Sequence, residues 1–200
     1  MLANKLGITD PHELSLIEER ITKSQAMRII DESLLLNHPA GTFSTLKFIH
    51  TILFQDIYDF AGKIRTINIS KNDYRFASAL YLPEAVHAIE AMPHTTLREI
   101  VDKYAEMNVA HPFREGNGRS MRIWLDHLLS HEQGLVVQWH LINSEEYLSA
   151  IRRSPLNTLE LYDLVQRHTT PDRGDRTLFA RGINASYAYE GYTRFDANDL

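Results

Sequence analysis

The stretch His111-Pro112-Phe113-Arg114-Glu115-Gly116-Asn117-Gly118-Arg119, closed by Arg122, constrains this chain more than any other. It sets a base, a carboxylate, two glycines around an asparagine and two arginines at the mouth of an apolar, helix-period run: Met121, Ile123, Trp124, Leu125, Leu128 and Leu129. A polar Gly-rich loop opening into an amphipathic helix is a phosphate site in outline. The helix start carries unpaired N–H groups and partial positive charge, and successive N–H groups in a tight turn cup an anion. Gly116 and Gly118 allow positive φ and close backbone approach to an oxyanion. Asn117 can donate from its amide. Glu115 can hold magnesium, which takes one or two carboxylates together with phosphate oxygens and water. Arg119 and Arg122, three apart and so on one helical face, carry forks that match phosphate oxygens. Histidine's unperturbed pKa lies near neutrality, so His111 can accept a hydroxyl proton.

The run resembles the motif of the Fic (Fido) family, His-x-Phe-x-(Asp/Glu)-Gly-Asn-Gly-Arg-x-x-Arg, at every fixed position. The resemblance implies a mainly α fold, a helical bundle with a β-hairpin flap beside the active site. It implies a protein adenylyltransferase that moves AMP from ATP to a Ser, Thr or Tyr hydroxyl of a target protein, with Mg2+ as cofactor. His111 is then the general base, Phe113 the anchor of the loop, Glu115 the metal residue and Gly116-Asn117-Gly118 the phosphate turn. Arg119 and Arg122 hold the outer phosphates, Arg122 reaching the γ-phosphate.

Near the C-terminus, Ser186-Tyr187-Ala188-Tyr189-Glu190-Gly191 is similar to the family's inhibitory motif, (Ser/Thr)-x-x-x-Glu-(Gly/Asn). Ser186 and Glu190 share a helical face, and Gly191 suits a helix C-cap. The resemblance implies that Glu190 pairs with Arg122 in the place of the γ-phosphate. One arginine fork cannot serve both. Asp56 to Ala77 looks like the flap. Short β-favouring runs flank a turn at Asn72-Asp73, and the exposed edge, about 66–77, would dock a target protein. Ser70 and Lys71 are expected near the nucleotide, and Tyr147 either lines the adenine pocket or belongs to the core.

Net charge is −5 with no basic run, which disfavours a nucleic-acid partner. The absence of cysteine excludes disulfide and thiolate chemistry and agrees with a cytoplasmic location. Met1 to Pro11 lacks a signal pattern, and no stretch is apolar for long enough to cross a membrane. Two hundred residues suit a single domain over 1–200, with a core at about 40–168 and the inhibitory helix at about 176–191; a homo-oligomer is compatible with this. Helices are expected over His12–Leu36, Ser44–Phe60, Pro83–Ala91, Thr95–Ala110, the motif helix to His131, Ser144–Arg153, Thr158–His168 and Arg176–Tyr189, with Thr169–Asp175 a linker. His127 and His131 have metal-ligand spacing but no third ligand beside them, and read as surface or capping residues. Two other functions stay open: removal of AMP with Glu190 orienting water, and a nucleotide-binding regulatory or toxin module with little catalysis. Tyr187, Tyr189 and Tyr192 also offer hydroxyls for self-modification.

Overall fold

The computed structural model describes residues 2–71 and 74–200. Helix α1 (Pro11–Asp31) starts where the Asp10 side chain accepts from the Glu13 N–H at 2.7 Å, with Pro11 in the first turn. It stops short of the expected Leu36 because the chain turns at Ser33, whose φ is +52°. Thr42 caps α2 (Phe43–Phe54). This helix also ends before the expected Phe60. Beyond it the chain folds back on α2 itself, and the Gly62 N–H donates to His50 Nδ1 at 2.9 Å. Gly62 has φ +68°, and a Cβ there would meet Thr51 Oγ1 at 2.1 Å, so only glycine fits this return.

Strands β1 (Ser70–Lys71) and β2 (Tyr74–Arg75) pair antiparallel, Ser70 opposite Arg75, so the expected hairpin is present. Its Asn72-Asp73 turn and the Lys71 side chain lie outside the described residues. Helix α3 (Leu82–Glu90) follows, with Pro83 in its first turn. A reciprocal capping box between Thr96 and Glu99 starts α4 (Leu97–Ala110).

Helix α5 (Asn117–Glu132) runs through the core. Met121, Trp124, Leu125, Leu128 and Leu129 are fully buried against α2 and α4. Helices α6 (Ser144–Arg153), α7 (Leu159–Arg167) and α8 (Arg176–Ala188) complete the bundle. The fold is thus mainly helical with a small hairpin, as expected. A second ribbon was not expected: β3 (Val136–Val137) pairs with β4 (Thr169–Thr170), inside the segment read as linker. Two-residue strands leave too little alternation to read from sequence. Among the described residues no helix is long and apolar enough to cross a membrane.

Candidate functional site

Helix α4 ends at His111, which caps it in the left-handed region at φ +47°. That conformation is costly for a residue with a Cβ, and its neighbours hold it there. The His111 carbonyl accepts from Arg65 Nε at 2.8 Å, and the Pro112 carbonyl accepts from the Arg65 N–H at 2.9 Å. The Arg65 guanidinium also donates to the carbonyls of Ile67, Ala77 and Ala110. This buried arginine therefore ties the motif loop to the base of the flap. The His111 ring stacks on Phe76 at 3.7 Å, and its Nδ1 lies 3.2 Å from the Asn108 carbonyl. A nitrogen facing a carbonyl must carry the proton, so in the neutral ring Nε2 keeps the lone pair.

The loop between α4 and α5 is internally braced. Phe113 is fully buried and stacks on His50 at 3.9 Å. The Asn117 amide closes the loop on both sides: Oδ1 accepts from the Phe113 N–H and Nδ2 donates to the Phe113 carbonyl, each at 2.8 Å. Its side chain is engaged inside the loop, so it shapes the turn instead of reaching outward. His50 Nε2 meets the Glu115 carbonyl at 2.9 Å while Nδ1 accepts from Gly62. Burial lowers its pKa to about 4, so the ring is neutral, with its proton on Nε2.

The two glycines do different work. Gly116 takes φ +75°, as expected, and a Cβ there would meet the Phe54 ring at 2.2 Å. Gly118 does not take positive φ; it lies in the first turn of α5. A Cβ on it would meet Glu190 Oε1 at 2.5 Å and Arg122 Nη1 at 2.9 Å. Its smallness leaves room for the Glu190 carboxylate beside Arg122.

Ser186 and Glu190 both reach Arg122. Arg122 Nε donates to Ser186 Oγ at 2.7 Å, and Nη2 donates to the Ser186 carbonyl at 2.8 Å and to Glu190 Oε1 at 2.7 Å. Glu190 follows α8 in a Schellman turn, in which the Gly191 N–H bonds to the Ala188 carbonyl and the Tyr192 N–H to the Tyr187 carbonyl. Gly191 supplies the required positive φ of +90°. Arg119 is fully buried and does not border the cavity described below. Its Nη1 donates to Glu18 at 2.8 Å and its Nη2 to Glu115 at 3.2 Å. Its Nε stands 3.0 Å from Glu190 Oε2 without the N–H aimed at it, a charge contact without a hydrogen bond.

These groups border a cavity of about 650 Å³. Around it stand His111, Arg114, Glu115, Gly116, Asn117, Gly118, Arg122, Tyr147, Glu190 and, from the flap, Ser70. Ile69, Leu148 and Ile151 give it an apolar side. The cavity thus joins polar groups at the α5 N-terminus to apolar side chains, a lining that suits a ligand with a charged part and a flat apolar part. Tyr147 belongs to the core and also borders the cavity. It is buried, its hydroxyl pairs with that of Tyr104 at 2.6 Å, and its ring borders the cavity. Glu115 is a half-exposed carboxylate that accepts from the Gly116 N–H and from Arg119, both at Oε1. Among the described residues no cluster of three metal-type side chains exists. A magnesium ion that takes a single carboxylate and completes its shell with phosphate oxygens and water fits Glu115.

The tyrosines near Glu190 are not presented for modification. Tyr187 and Tyr189 are buried, the Tyr189 hydroxyl donates to the Trp139 carbonyl, and that of Tyr192 donates to Glu18. His127 binds the His38 carbonyl and His131 is paired with Glu132, in keeping with capping and surface roles.

Sequence reasoning missed His50, Arg65 and Glu18. His50 had a signal: a histidine in register with Leu46 and Leu53 on an apolar helix face. Arg65 and Glu18 had none, because their partners are carbonyls and side chains far away in sequence.

Residues 41–129 match the family model described as the Fic/DOC family. The chain is 29% identical to protein adenylyltransferase VbhT of Bartonella schoenbuchensis over 92% of its own length, and spans 40% of that protein. It is also 29% identical to the probable protein adenylyltransferase Fic of Salmonella typhimurium, over 80% of this chain and 82% of that one. Among solved structures it resembles the BepC protein of Bartonella tribocorum with bound AMPPNP. The TM-score is 0.67 at 22% identity, over 86% of this chain and 93% of the other, a likeness of fold.

Proposed function

From the match of residues 41–129 to the Fic/DOC family model, we propose that the chain is an ATP-dependent protein adenylyltransferase of that family, held in check by its own Glu190. The whole of 1–200 acts as one domain in this reading, with its core at about 40–168. The observation that carries the proposal is the shared cavity. It is bordered at once by His111, whose Nδ1 faces a carbonyl, by the N-terminal turn of α5, by Arg122 and Glu115, suited to phosphate and magnesium, and by the flap.

The triphosphate lies along Gly116 to Gly118 with its outer end at Arg122, and the base lies toward Tyr147 and the apolar side chains. Glu115 is the residue that would hold Mg2+, the rest of its shell coming from the substrate and water. The ion, when bound, neutralises phosphate charge and orients the leaving group. A target segment aligned along the flap presents its hydroxyl to His111. The hydroxyl oxygen forms a bond to the α-phosphorus, its proton passes to His111 Nε2, and the bond from the α-phosphorus to the bridging oxygen breaks. Pyrophosphate leaves with that electron pair, and the target keeps AMP as a phosphodiester.

Glu190 occupies the Arg122 fork, so the γ-phosphate must compete for it. Because Glu190 borders the same cavity as His111, a second reading has support: the carboxylate orients water and the pair removes AMP from a modified protein. A nucleotide-binding regulatory or toxin module with little catalysis is the third reading.

The test is incubation of the protein with α-labelled ATP and magnesium in a cell lysate, followed by the reverse assay on the labelled products. Label in protein with release of pyrophosphate is expected. Nucleotide binding with no label in wild type or Glu190→Gly would remove the transferase reading.

A further inference from the structure

The segment after Gly191 runs back over α1, and three buried side chains of α1 hold it there. Glu19 Oε1 accepts from the N–H groups of Arg194 at 2.9 Å and Phe195 at 3.1 Å, and from Lys23 Nζ at 2.9 Å. Lys23 Nζ donates in turn to the Phe195 carbonyl at 2.6 Å. One residue before Glu19, Glu18 Oε1 accepts from the Tyr192 hydroxyl at 3.1 Å and from Arg119 Nη1 at 2.8 Å. The Tyr192 ring also covers the Arg119 guanidinium, 4.8 Å from its centroid.

Burying an ion pair in the face of a helix costs solvation that the pair itself only partly returns. Glu19 and Lys23 have side-chain exposures of 3% and 1%. What they satisfy are backbone groups of a tail without regular structure of its own around 193–196, of which Phe195 is half-buried. Glu190 lies between the last turn of α8 and this clipped tail. Its position is therefore set from both sides, by α8 before it and by α1 after it.

We propose that Glu18, Glu19, Lys23 and Tyr192 are positioning residues for Glu190: a clip on α1 that sets how often the carboxylate leaves Arg122. Loosening the clip raises AMP transfer with Glu190 itself intact. This rests on the inhibitory reading of Glu190 given above.

Two variants test it in the full chain: Tyr192→Phe, which removes one hydroxyl, and the paired Glu19→Gln/Lys23→Met, which removes the buried charges together. Each is made with and without Glu190→Gly. Hydrogen exchange of the amides at 190–195 and the initial rate of transfer from α-labelled ATP are measured. Exchange at Tyr192, Arg194 and Phe195 is expected to quicken. Transfer by Tyr192→Phe is expected to rise about fivefold, the shift that one lost hydrogen bond of ordinary strength produces. No further rise is expected in the Glu190→Gly background, since the clip acts through Glu190. A merely structural role would lower the rate in both backgrounds and would overturn the proposal. Unchanged exchange would overturn the clip, and faster exchange with an unchanged rate would overturn its link to Glu190. If Glu190→Gly alone fails to raise transfer, the inhibitory reading falls, and the exchange data still decide separately whether α1 holds the turn.

Discussion

Two histidines in this fold meet opposite fates, and the difference is set by their partners. His111 gives its Nδ1 side to a backbone carbonyl and borders the cavity. His50 gives both nitrogens to backbone groups in the core. We expect His111→Ala in a Glu190→Gly background to lose about a hundred- to ten-thousand-fold in transfer rate while ATP binding, read by calorimetry, is largely kept. Near-normal labelling would remove His111 from the base role. For His50 the sign follows from its depressed pKa. The unfolded ring protonates near its usual 6.5, the folded one near 4. Between these values the unfolded state binds more protons, so stability is fully present above about pH 6.5 and is lost as pH falls toward 4. The loss from this group is about 3 kcal/mol at most. The imidazole resonances of His50 should show a neutral ring at pH 6 by NMR; a ring charged at that pH would contradict the buried bonding described.

At the scale of elements, the first turn of α5 is where loop, base and C-terminal segment converge, and its two glycines separate fold from site. Gly116→Ala combines a left-handed φ with a clash against the Phe54 ring in the core. It should cost about 2 kcal/mol or more and lower the melting temperature clearly. Gly118→Ala meets only the ends of the Glu190 and Arg122 side chains, which can move, and alanine favours a helix. It should leave the melting temperature unchanged or higher. Equal losses in the two variants, measured by thermal denaturation, would refute the division. The sequence revealed the glycines but assigned both the same backbone role, because a Gly-x-Gly run does not show where the helix begins. The motif helix, the capped α4 and the hairpin were legible because each has a local cause: apolar spacing, a Thr96/Glu99 box, β-favouring runs around a turn. The early end of α2 was not, because it depends on Gly62 returning to His50 across the helix. The β3–β4 ribbon was not either, since its strands lie more than thirty residues apart and each is two residues long.

At the scale of the whole molecule, the site is assembled from both ends of the chain. Glu18 from α1, Glu115 from the loop and Glu190 from the C-terminal turn converge on one buried arginine, Arg119, while Arg122 is held by Ser186 and Glu190. Arg119 has three carboxylates and stays charged without Glu190, so losing Glu190 leaves no uncompensated arginine there. Arg122 is different. Glu190 is its carboxylate partner, and without it the fork that borders the cavity keeps Ser186 and can take a phosphate. Glu190→Gly should therefore fold, bind ATP with its γ-phosphate at Arg122, and transfer AMP at least tenfold faster than wild type, a change of about 1.4 kcal/mol in the barrier. Arg122→Ala should not mimic it, because the variant loses the phosphate ligand together with the contact. In the double variant the ligand is also absent, so its labelling should fall well below that of Glu190→Gly. Label incorporation from α-labelled ATP by the four proteins, side by side, decides the matter. Equal labelling by wild type and Glu190→Gly would mean that the contact at 2.7 Å between Glu190 and Arg122 braces the fold and restrains nothing.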